Sequence, residues 1–461
     1  MKNITLSITA SLLSIFGVAQ TSPAITSWLQ NTTLTARHYV SGNSTPINDA
    51  DLVNVQSVKY STNFVYATTT GLPSYVTGPF LDGNPSLATN QNSIFKFPLN
   101  PVQNTGTPVS TTGGNIGVFI NGVALFDYRD GVAWNATTNT LCGGPGNPPC
   151  PGGPTATFPW NRDAIPAEKG GFDCSKAHPA MGNYHHHQNP SAFNLDLNVI
   201  STVCNLYNAD GLYAIDNTKH SPLIGFAYDG FPIYGAYGYK NADGTGGITR
   251  IKSSYALRNI TTRTTAPGGA AVSSGPVVST TYPLGYFRED YEYIATSATT
   301  PDYLDEHNGR FCITPEYPNG TYCYFATVDQ NWNSAYPYVV GPTFYGTITA
   351  SKVTSITEPV TTYTAGATPT GIAAKNIESS TINVFPNPAS DLVAIQLISL
   401  TNENIKIELF DITGKLIDKT TLYQGSTIAY FHTETLYNGQ YLMKIYSGDT
   451  YITKKFIVNK N

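Results

Sequence analysis

Apolar and polar residues alternate over short stretches along most of the chain, and the stretches are separated by Gly, Pro, Asn and Ser. Runs that are rich in β-branched and aromatic residues predict strands at 53–60, 64–69, 117–128 and 336–350. No 15-residue window has the periodicity of an amphipathic helix. The pattern therefore predicts an all-β fold, mainly β with few short helices.

The pattern changes twice towards the C-terminus. Residues 351–380 are rich in Thr, Ser and Ala and predict a linker. From residue 381 a new module begins, in which Ile405, Ile407 and Leu409 alternate with charged residues, as in a half-buried strand. We expect a large β-rich module at 20–350, the linker at 351–380 and a small β-sandwich at 381–461.

The N-terminus reads as a secretion signal. An apolar stretch runs from Ile4 to Val18, and the small residues Gly17 and Ala19 suit signal peptidase. The alternative, a membrane anchor, fits less well because the stretch is short and contains several Ser and Thr residues. No later segment is apolar enough to cross a bilayer. We predict a signal peptide at 1–19, export, and no transmembrane segment after its removal.

Composition agrees with an extracellular protein. Only 12% of the 461 residues are charged, roughly half of the usual share of about 25%. The surface must therefore consist largely of Thr, Ser, Asn, Tyr and Gly. The net charge is −5 and no basic stripe occurs, which argues against nucleic acid as a partner.

The cysteines favour disulfides, because their number is even and the chain is predicted to be exported. Proximity in sequence suggests the pairs 142–150, 174–204 and 312–323, although six cysteines allow about fifteen pairings. The candidates are Cys142, Cys150, Cys174, Cys204, Cys312 and Cys323.

Histidine gives the clearest chemical signal. Of eight histidines, four lie within ten positions: His178, His185, His186 and His187. If 184–188 is extended, His185 and His187 project from one face and His186 from the other. Two imidazoles on one face can share a transition metal, Zn or Cu. We expect His178, His220 or His307 to complete the ligand set.

Further polar residues accompany these histidines in the sequence. Asp305 and Glu306 directly precede His307 and can supply carboxylates, and Tyr184 and His186 can support the site. Asp229 is followed by Gly230, which by itself indicates a hairpin turn. The alternative interpretation of the whole cluster is a polar core in which His and Tyr side chains are hydrogen-bonded to each other.

Three segments together resemble the YHYH domain over roughly 110–345: 184–187, 225–235 and 304–327. The third residue of the eponymous motif is His186 rather than Tyr, whereas Tyr184, His185 and His187 keep the pattern. In the stretch around His307 the family often has Cys, and in the stretch around Cys323 it often has His. Because this chain has the two residue types the other way round, the resemblance assigns no ligand there. It implies no reaction either.

The last segment resembles a different family. Phe385-Pro-Asn-Pro, Leu409-Phe-Asp-Ile-Thr-Gly-Lys, Gly439-Gln-Tyr-Leu and Lys455-Phe-Ile-Val follow each other in the order of the type A C-terminal sorting domain of type IX secretion. The resemblance implies that the type IX machinery recognises 381–461 and transports the protein across the outer membrane. Attachment to the cell surface often follows.

Two functions from different classes remain open. The first is an exported metalloprotein, with enzymatic activity undecided. The second is a surface binding or structural module for glycan or protein, in which the histidines are internal scaffold. The sequence has no Gly-x-Ser-x-Gly elbow, His-Glu-x-x-His helix or phosphate-binding Gly loop.

Overall fold

The computed structural model of the chain describes residues 22–41, 45–80, 86–144, 146–151, 158–191, 211–297, 299–349, 351–364, 382–397, 404–423, 427–447 and 450–460. The predicted signal peptide at 1–19 lies outside these residues. Within the described ranges, no helix has both the length and the apolar character needed to span a membrane.

The described residues are mainly β, which confirms the predicted fold class. They contain two short α-helices, α1 (Pro23–Thr26) and α2 (Ala164–Glu168), and a 3-10 turn at Arg288–Asp290. Asp163 caps α2, because its side chain accepts a hydrogen bond from the Ile165 amide at 2.9 Å.

Up to residue 363 the chain forms many short strands: β1 (Thr35–His38), β2 (Ile47–Leu52), β3 (Val55–Tyr60), β4 (Phe64–Thr69), β5 (Ser93–Pro98), β6 (Val109–Ser110), β7 (Asn115–Phe119), β8 (Ala124–Phe126), β9 (Arg129–Asn135), β10 (Thr140–Cys142), β11 (Asn161–Asp163), β12 (His178–Ala180), β13 (Asn183–His186), β14 (Leu223–Ala227), β15 (Pro232–Tyr234), β16 (Tyr237–Tyr239), β17 (Ile248–Arg250), β18 (Tyr255–Leu257), β19 (Tyr291–Tyr293), β20 (Gly309–Cys312), β21 (Thr321–Phe325), β22 (Thr343–Phe344), β23 (Lys352–Val353) and β24 (Thr361–Tyr363).

The predicted strand at 64–69 has the predicted bounds, and the strand predicted at 53–60 begins at Val55. The other two predicted strands differ more from the structure. The stretch 117–128 is interrupted at Gly122, whose φ of 80° allows a tight turn between β7 and β8. Of the stretch predicted at 336–350, the described residues 336–349 are mostly irregular, because Pro337 and Pro342 cannot donate backbone hydrogen bonds and Tyr338 has a φ of 72°.

The largest sheet has eight strands in the order β12-β13-β8-β7-β14-β15-β21-β20. It is mixed, since β13 pairs with β8 and β15 with β21 in parallel and the other neighbours are antiparallel. All five residues of β14 are buried, as expected for a central strand that is covered on both faces. The histidine-bearing strands β12 and β13 form one edge.

A five-stranded sheet, β23-β5-β4-β3-β24, packs beside it. This sheet extends past residue 350, where the predicted β-rich module ends. Its two edge strands, Lys352–Val353 and Thr361–Tyr363, lie in the stretch predicted as linker. Their residues are exposed or half-buried, which explains why a polar composition does not prevent pairing at the edge of a sheet. Most of the remaining predicted linker, 365–380, lies outside the described residues.

The C-terminal part forms the predicted small β-sandwich. A three-stranded sheet faces a four-stranded one around a separate apolar core. The strands are β25 (Ile382–Phe385), β26 (Leu392–Leu397), β27 (Ile405–Asp411), β28 (Leu416–Leu422), β29 (Ile428–His432), β30 (Gly439–Ser447) and β31 (Thr450–Val458).

The cysteines agree with the predicted pairs only in part. Cys142 and Cys150 form a disulfide with a Cα–Cα distance of 4.9 Å. Cys174 is also disulfide-bonded, and Cys204, its predicted partner, lies outside the described residues. The third predicted pair is wrong, because Cys312 and Cys323 are buried thiols and form no disulfide with each other. Cys312 lies opposite Thr321 rather than opposite Cys323, so the two thiols are diagonal neighbours on adjacent strands.

Candidate metal centre

One β-hairpin holds the histidine cluster. Strands β12 and β13 are joined by Met181 and Gly182, both with positive φ (49° and 83°), as in the two-residue turns that suit the twist of a hairpin. This register places His178 directly opposite His185. The short turn therefore brings two imidazoles together from neighbouring strands.

The adjacent strand β8 fixes the other side of the hairpin. His185 pairs in parallel register with Ala124, and its ring stacks on Phe126 at a centroid distance of 3.8 Å and an interplanar angle of 18°. His187 follows directly after β13. The rings of His185 and His187 thus emerge on the same side of the strand, as the period of two requires.

The three imidazoles converge through ring nitrogens. The Nε2 atoms of His185 and His187 are 3.1 Å apart. One nitrogen from each of His178, His185 and His187 lies within 4.8 Å of the others. All three side chains are buried.

Backbone carbonyls orient two of the rings. His185 donates its Nδ1 hydrogen to the Asn183 carbonyl oxygen at 2.8 Å, and His187 donates its Nδ1 hydrogen to the Asp127 carbonyl oxygen at 2.6 Å. A carbonyl oxygen only accepts, so Nδ1 holds the proton in both neutral rings. The Nε2 atom of each ring is then left with its lone pair, which is the state that binds a metal.

A carboxylate that the sequence analysis missed completes the cluster. Glu168, the last residue of α2, places Oε2 3.2 Å from Nε2 of His178 and 3.2 Å from Nε2 of His187. Glu168 precedes the hairpin by ten residues in a short, separate helix. No sequence spacing connects such a residue to a strand pair, and the sequence therefore contained no usable signal for it.

The surroundings favour a neutral His185 and an ionised Glu168. Burial lowers the pKa of His185 well below its ordinary value, and His187 and His178 lower it further. For Glu168, burial alone would raise the pKa, but the neighbouring His178 and His187 outweigh burial and hold the pKa below its ordinary value. The cluster thus combines imidazole nitrogens with one carboxylate anion.

The comparisons with known proteins agree with both resemblances. Residues 94–337 match the family described as YHYH protein, a stretch that covers more than half of the chain. The chain belongs to the YHYH protein family. Residues 383–459 match the secretion system C-terminal sorting domain. No curated protein shows significant similarity to the chain.

The sorting domain determines the destination of this YHYH protein. Domains of this kind mark proteins that type IX secretion exports to the cell surface or the extracellular space. The localisation predicted from the sequence is therefore confirmed. The three-histidine group lies within the residues that match the YHYH family, outside the sorting domain.

Two predicted supporting residues face away from the three nitrogens. The Nε2 atom of His186 is 2.8 Å from the Tyr75 hydroxyl, and burial, followed by the charge of Lys176, lowers the pKa of His186 to about 3. Tyr184 donates its hydroxyl to Asp173 at 2.8 Å. Both side chains anchor β13 to the structure behind it.

The structure does not bring His220 to the group. Its Nδ1 hydrogen is donated to the Ser221 carbonyl oxygen at 2.7 Å, and its ring packs against Tyr234 and Tyr239. Asp229 accepts hydrogen bonds from the Tyr324 hydroxyl at 2.6 Å and from a backbone amide. These residues stabilise the 225–235 block, which forms the β14–β15 hairpin.

His307 and its acidic neighbours are also separate from the three-histidine group. Nδ1 of His307 is 2.7 Å from the Thr343 hydroxyl, and Nε2 is 3.8 Å from the exposed carboxylate of Glu306. Asp305 accepts hydrogen bonds from the Tyr322 hydroxyl at 2.8 and 3.0 Å. Of the three candidates for a third ligand, the structure brings only His178 to His185 and His187.

Proposed function

We propose that this exported YHYH protein binds a transition metal ion through the Nε2 atoms of His178, His185 and His187. The observation that supports this most strongly is the 3.1 Å contact between the Nε2 atoms of His185 and His187. The two Nδ1 hydrogens are already donated to carbonyl oxygens. In two neutral rings the lone pairs of the two Nε2 atoms would therefore point at each other and repel. Only a proton or a metal cation between them makes the contact favourable.

The distances suit a shared ion. With metal–nitrogen bonds of about 2.0–2.1 Å, two nitrogens are about 3.3 Å apart in tetrahedral geometry and about 2.9 Å apart in octahedral geometry. The measured 3.1 Å lies between these values. The upper limit of 4.8 Å within the group exceeds the largest possible separation of about 4.1 Å. If the His178 nitrogen lies at that limit, its ring must move inward by about 1.5 Å to reach the tetrahedral separation.

The ligand types restrict the metal to ions that accept imidazole. Imidazole suits zinc, copper, iron and nickel, whereas calcium and magnesium prefer oxygen ligands. We propose zinc or copper. The carbonyl partners of His185 and His187 would support either ion, because a donated Nδ1 hydrogen fixes the ring and raises the basicity of Nε2. The proposal is metal binding and assigns no reaction.

A second function has its own supporting observation. Oε2 of Glu168 lies 3.2 Å from Nε2 of His178 and 3.2 Å from Nε2 of His187, so an ion pair would hold the cluster together without a metal if one of these rings is protonated. In that case the histidines are scaffold, and the protein is a surface binding or structural module. The two functions differ in one measurable quantity, the metal content of the purified protein.

The deciding experiment is metal analysis of untagged protein that has never been in contact with a nickel column. After removal of metal with a chelator, the protein is titrated with Zn²⁺ or Cu²⁺ and desalted. We expect one equivalent per chain, and no retained metal in His185→Ala or His187→Ala. The matched control is His307→Gln, which changes a histidine outside the group and retains one equivalent. Wild-type protein that retains no metal would favour the scaffold function.

A further inference from the structure

Glu168 differs from the three histidines in its access to solvent. Its side chain is 24% exposed, whereas those of His178 and His187 are 8% and 3% exposed. His185 is 1% exposed as a residue. Of these four side chains, Glu168 is the most accessible, while its Oε2 atom, which faces the histidines, is buried.

Glu168 is also held less firmly than the histidines. Two of the rings are fixed by backbone carbonyls. Phe126 stacks on the His185 ring, and Phe172 meets the His178 ring edge-on. Glu168 ends a helix of only five residues. Among the described residues, no donor forms a hydrogen bond with Oε2 of Glu168.

Its position is nevertheless that of a ligand. Oε2 lies at 3.2 Å from two of the Nε2 atoms, a separation that two donors bound to one ion at about 2.0–2.2 Å would have between octahedral and tetrahedral geometry. A carboxylate at this place would also reduce the charge of a divalent ion that three neutral imidazoles leave unchanged.

We propose that Glu168 occupies the fourth coordination position of the metal and is the ligand that small anions displace. The ligand class is therefore monodentate anions of carboxylate size. The inference depends on the proposed metal binding and adds to it an exchangeable position at a defined residue.

The charge balance explains why an anion would enter. Three imidazoles and a divalent ion have a net charge of +2 in a largely buried site. Glu168 lowers this charge to +1, and its removal leaves the full charge of the ion facing the solvent side. Bound cations are the dominant local charges in such sites, so an external anion should bind where Glu168 has been removed.

The test uses Co²⁺ as a spectroscopic probe and azide and acetate as anions. Wild type, Glu168→Ala, Glu168→Gln and the control Glu306→Ala are loaded with Co²⁺, and the visible absorption is followed during anion titration. We expect both Glu168 variants to bind Co²⁺ about 10–100-fold more weakly than wild type. Azide should bind at least tenfold more tightly to Co²⁺-loaded Glu168→Ala, and acetate should restore the wild-type spectrum.

The outcomes separate this inference from the proposed function. Wild type that binds no Co²⁺ would overturn both. Wild type that binds Co²⁺, with Glu168→Ala identical to it in Co²⁺ affinity and azide affinity, would overturn the role of Glu168 alone. Far-UV circular dichroism establishes that the variants are folded, and Glu168→Gln, which keeps the side-chain volume, replaces the alanine variant if that one unfolds. Glu306→Ala should behave as wild type.

Discussion

His178 and His185 lie directly opposite each other across the β12–β13 hairpin. Opposed residues of an antiparallel pair have Cβ atoms about 4.5–5.5 Å apart, which is close enough for two imidazoles to meet. Alternation along the strand adds His187 on the same side. Pairing across the strands and alternation along one strand therefore each supply part of the nitrogen cluster.

The first prediction concerns the aromatic support of His185. Phe126 stacks on the His185 ring, whereas Phe119 meets His186 edge-on at 5.5 Å on the other side of β13. We expect Phe126→Leu to weaken metal affinity by about tenfold, because the ring loses its fixed orientation. Isothermal titration of the metal-free protein measures this change.

Phe119→Leu is the matched control for this prediction. It should lower the unfolding free energy by about 1–3 kcal/mol, as expected for a change in a packed core, and leave metal affinity within twofold of wild type. Equal losses of affinity in the two variants would mean that the stack has no specific role.

The second prediction is that acid releases the metal. Imidazoles must be deprotonated to bind, so occupancy should fall below roughly pH 6. Burial lowers the pKa of His185, so this ring stays neutral and the decline should be shallower than for three ordinary imidazoles. Metal retained after equilibration between pH 8 and pH 4.5 is the measurement, with circular dichroism as a check of folding. Full occupancy at pH 4.5 would contradict imidazole ligation.

The third prediction concerns the thiols. Cys312 and Cys323 are buried as thiols, and burial raises the pKa of Cys323 well above its ordinary value. The folded, unreduced protein should therefore react slowly with a thiol reagent and expose two thiols on unfolding. Cys312→Ser should expose one. No reactive thiol after unfolding of the wild type would mean that the pair is oxidised.

The fourth prediction uses His220, which lies outside the three-histidine group. Burial is the main reason that its pKa is lowered to about 4, whereas an unfolded histidine titrates near 6.5. Below that pH the unfolded state binds more protons than the folded state, so His220 lowers stability as the solution becomes more acidic. Between pH 6.5 and pH 5 its contribution is about 1.5 kcal/mol.

His220→Phe removes this titration and keeps an aromatic ring beside Tyr234 and Tyr239. The variant loses the hydrogen bond to Ser221, which lowers its stability at every pH by a similar amount. The diagnostic quantity is therefore the pH dependence measured by urea unfolding. Wild type should lose about 1.5 kcal/mol more than the variant between pH 6.5 and pH 5. Parallel stability profiles would show that His220 is protonated to the same extent in both states.

The sequence was informative where the signal is local. Alternation predicted that His185 and His187 share one face of a strand, and the ordered motifs from Phe385 to Val458 predicted the sorting domain that the comparison confirms. Turn residues and β-branched runs predicted the fold class. Each of these signals depends on residues only a few positions apart, where the backbone geometry fixes which side chains can meet.

The features that the sequence did not predict depend on contacts between segments that are distant in the sequence or on the register of paired strands. Glu168 reaches the cluster from a separate helix, and nothing in its own segment indicates this. Sequence proximity suggested a disulfide between Cys312 and Cys323, but the strand register made them diagonal neighbours. The polar stretch after residue 351 was predicted as linker, yet part of it pairs at the edges of a sheet, where exposed polar residues are tolerated.

The two-residue turn at Met181 and Gly182 has a further consequence. Because the three clustered histidines lie within ten successive positions, bringing their nitrogens together requires closing only a very short loop, and the entropy of closure grows with loop length. Because the turn is so short, the arrangement of the histidines is sensitive to a change in the length of the turn. A single residue inserted at the tip would shift the hairpin register by one and turn His178 towards the opposite face from His185.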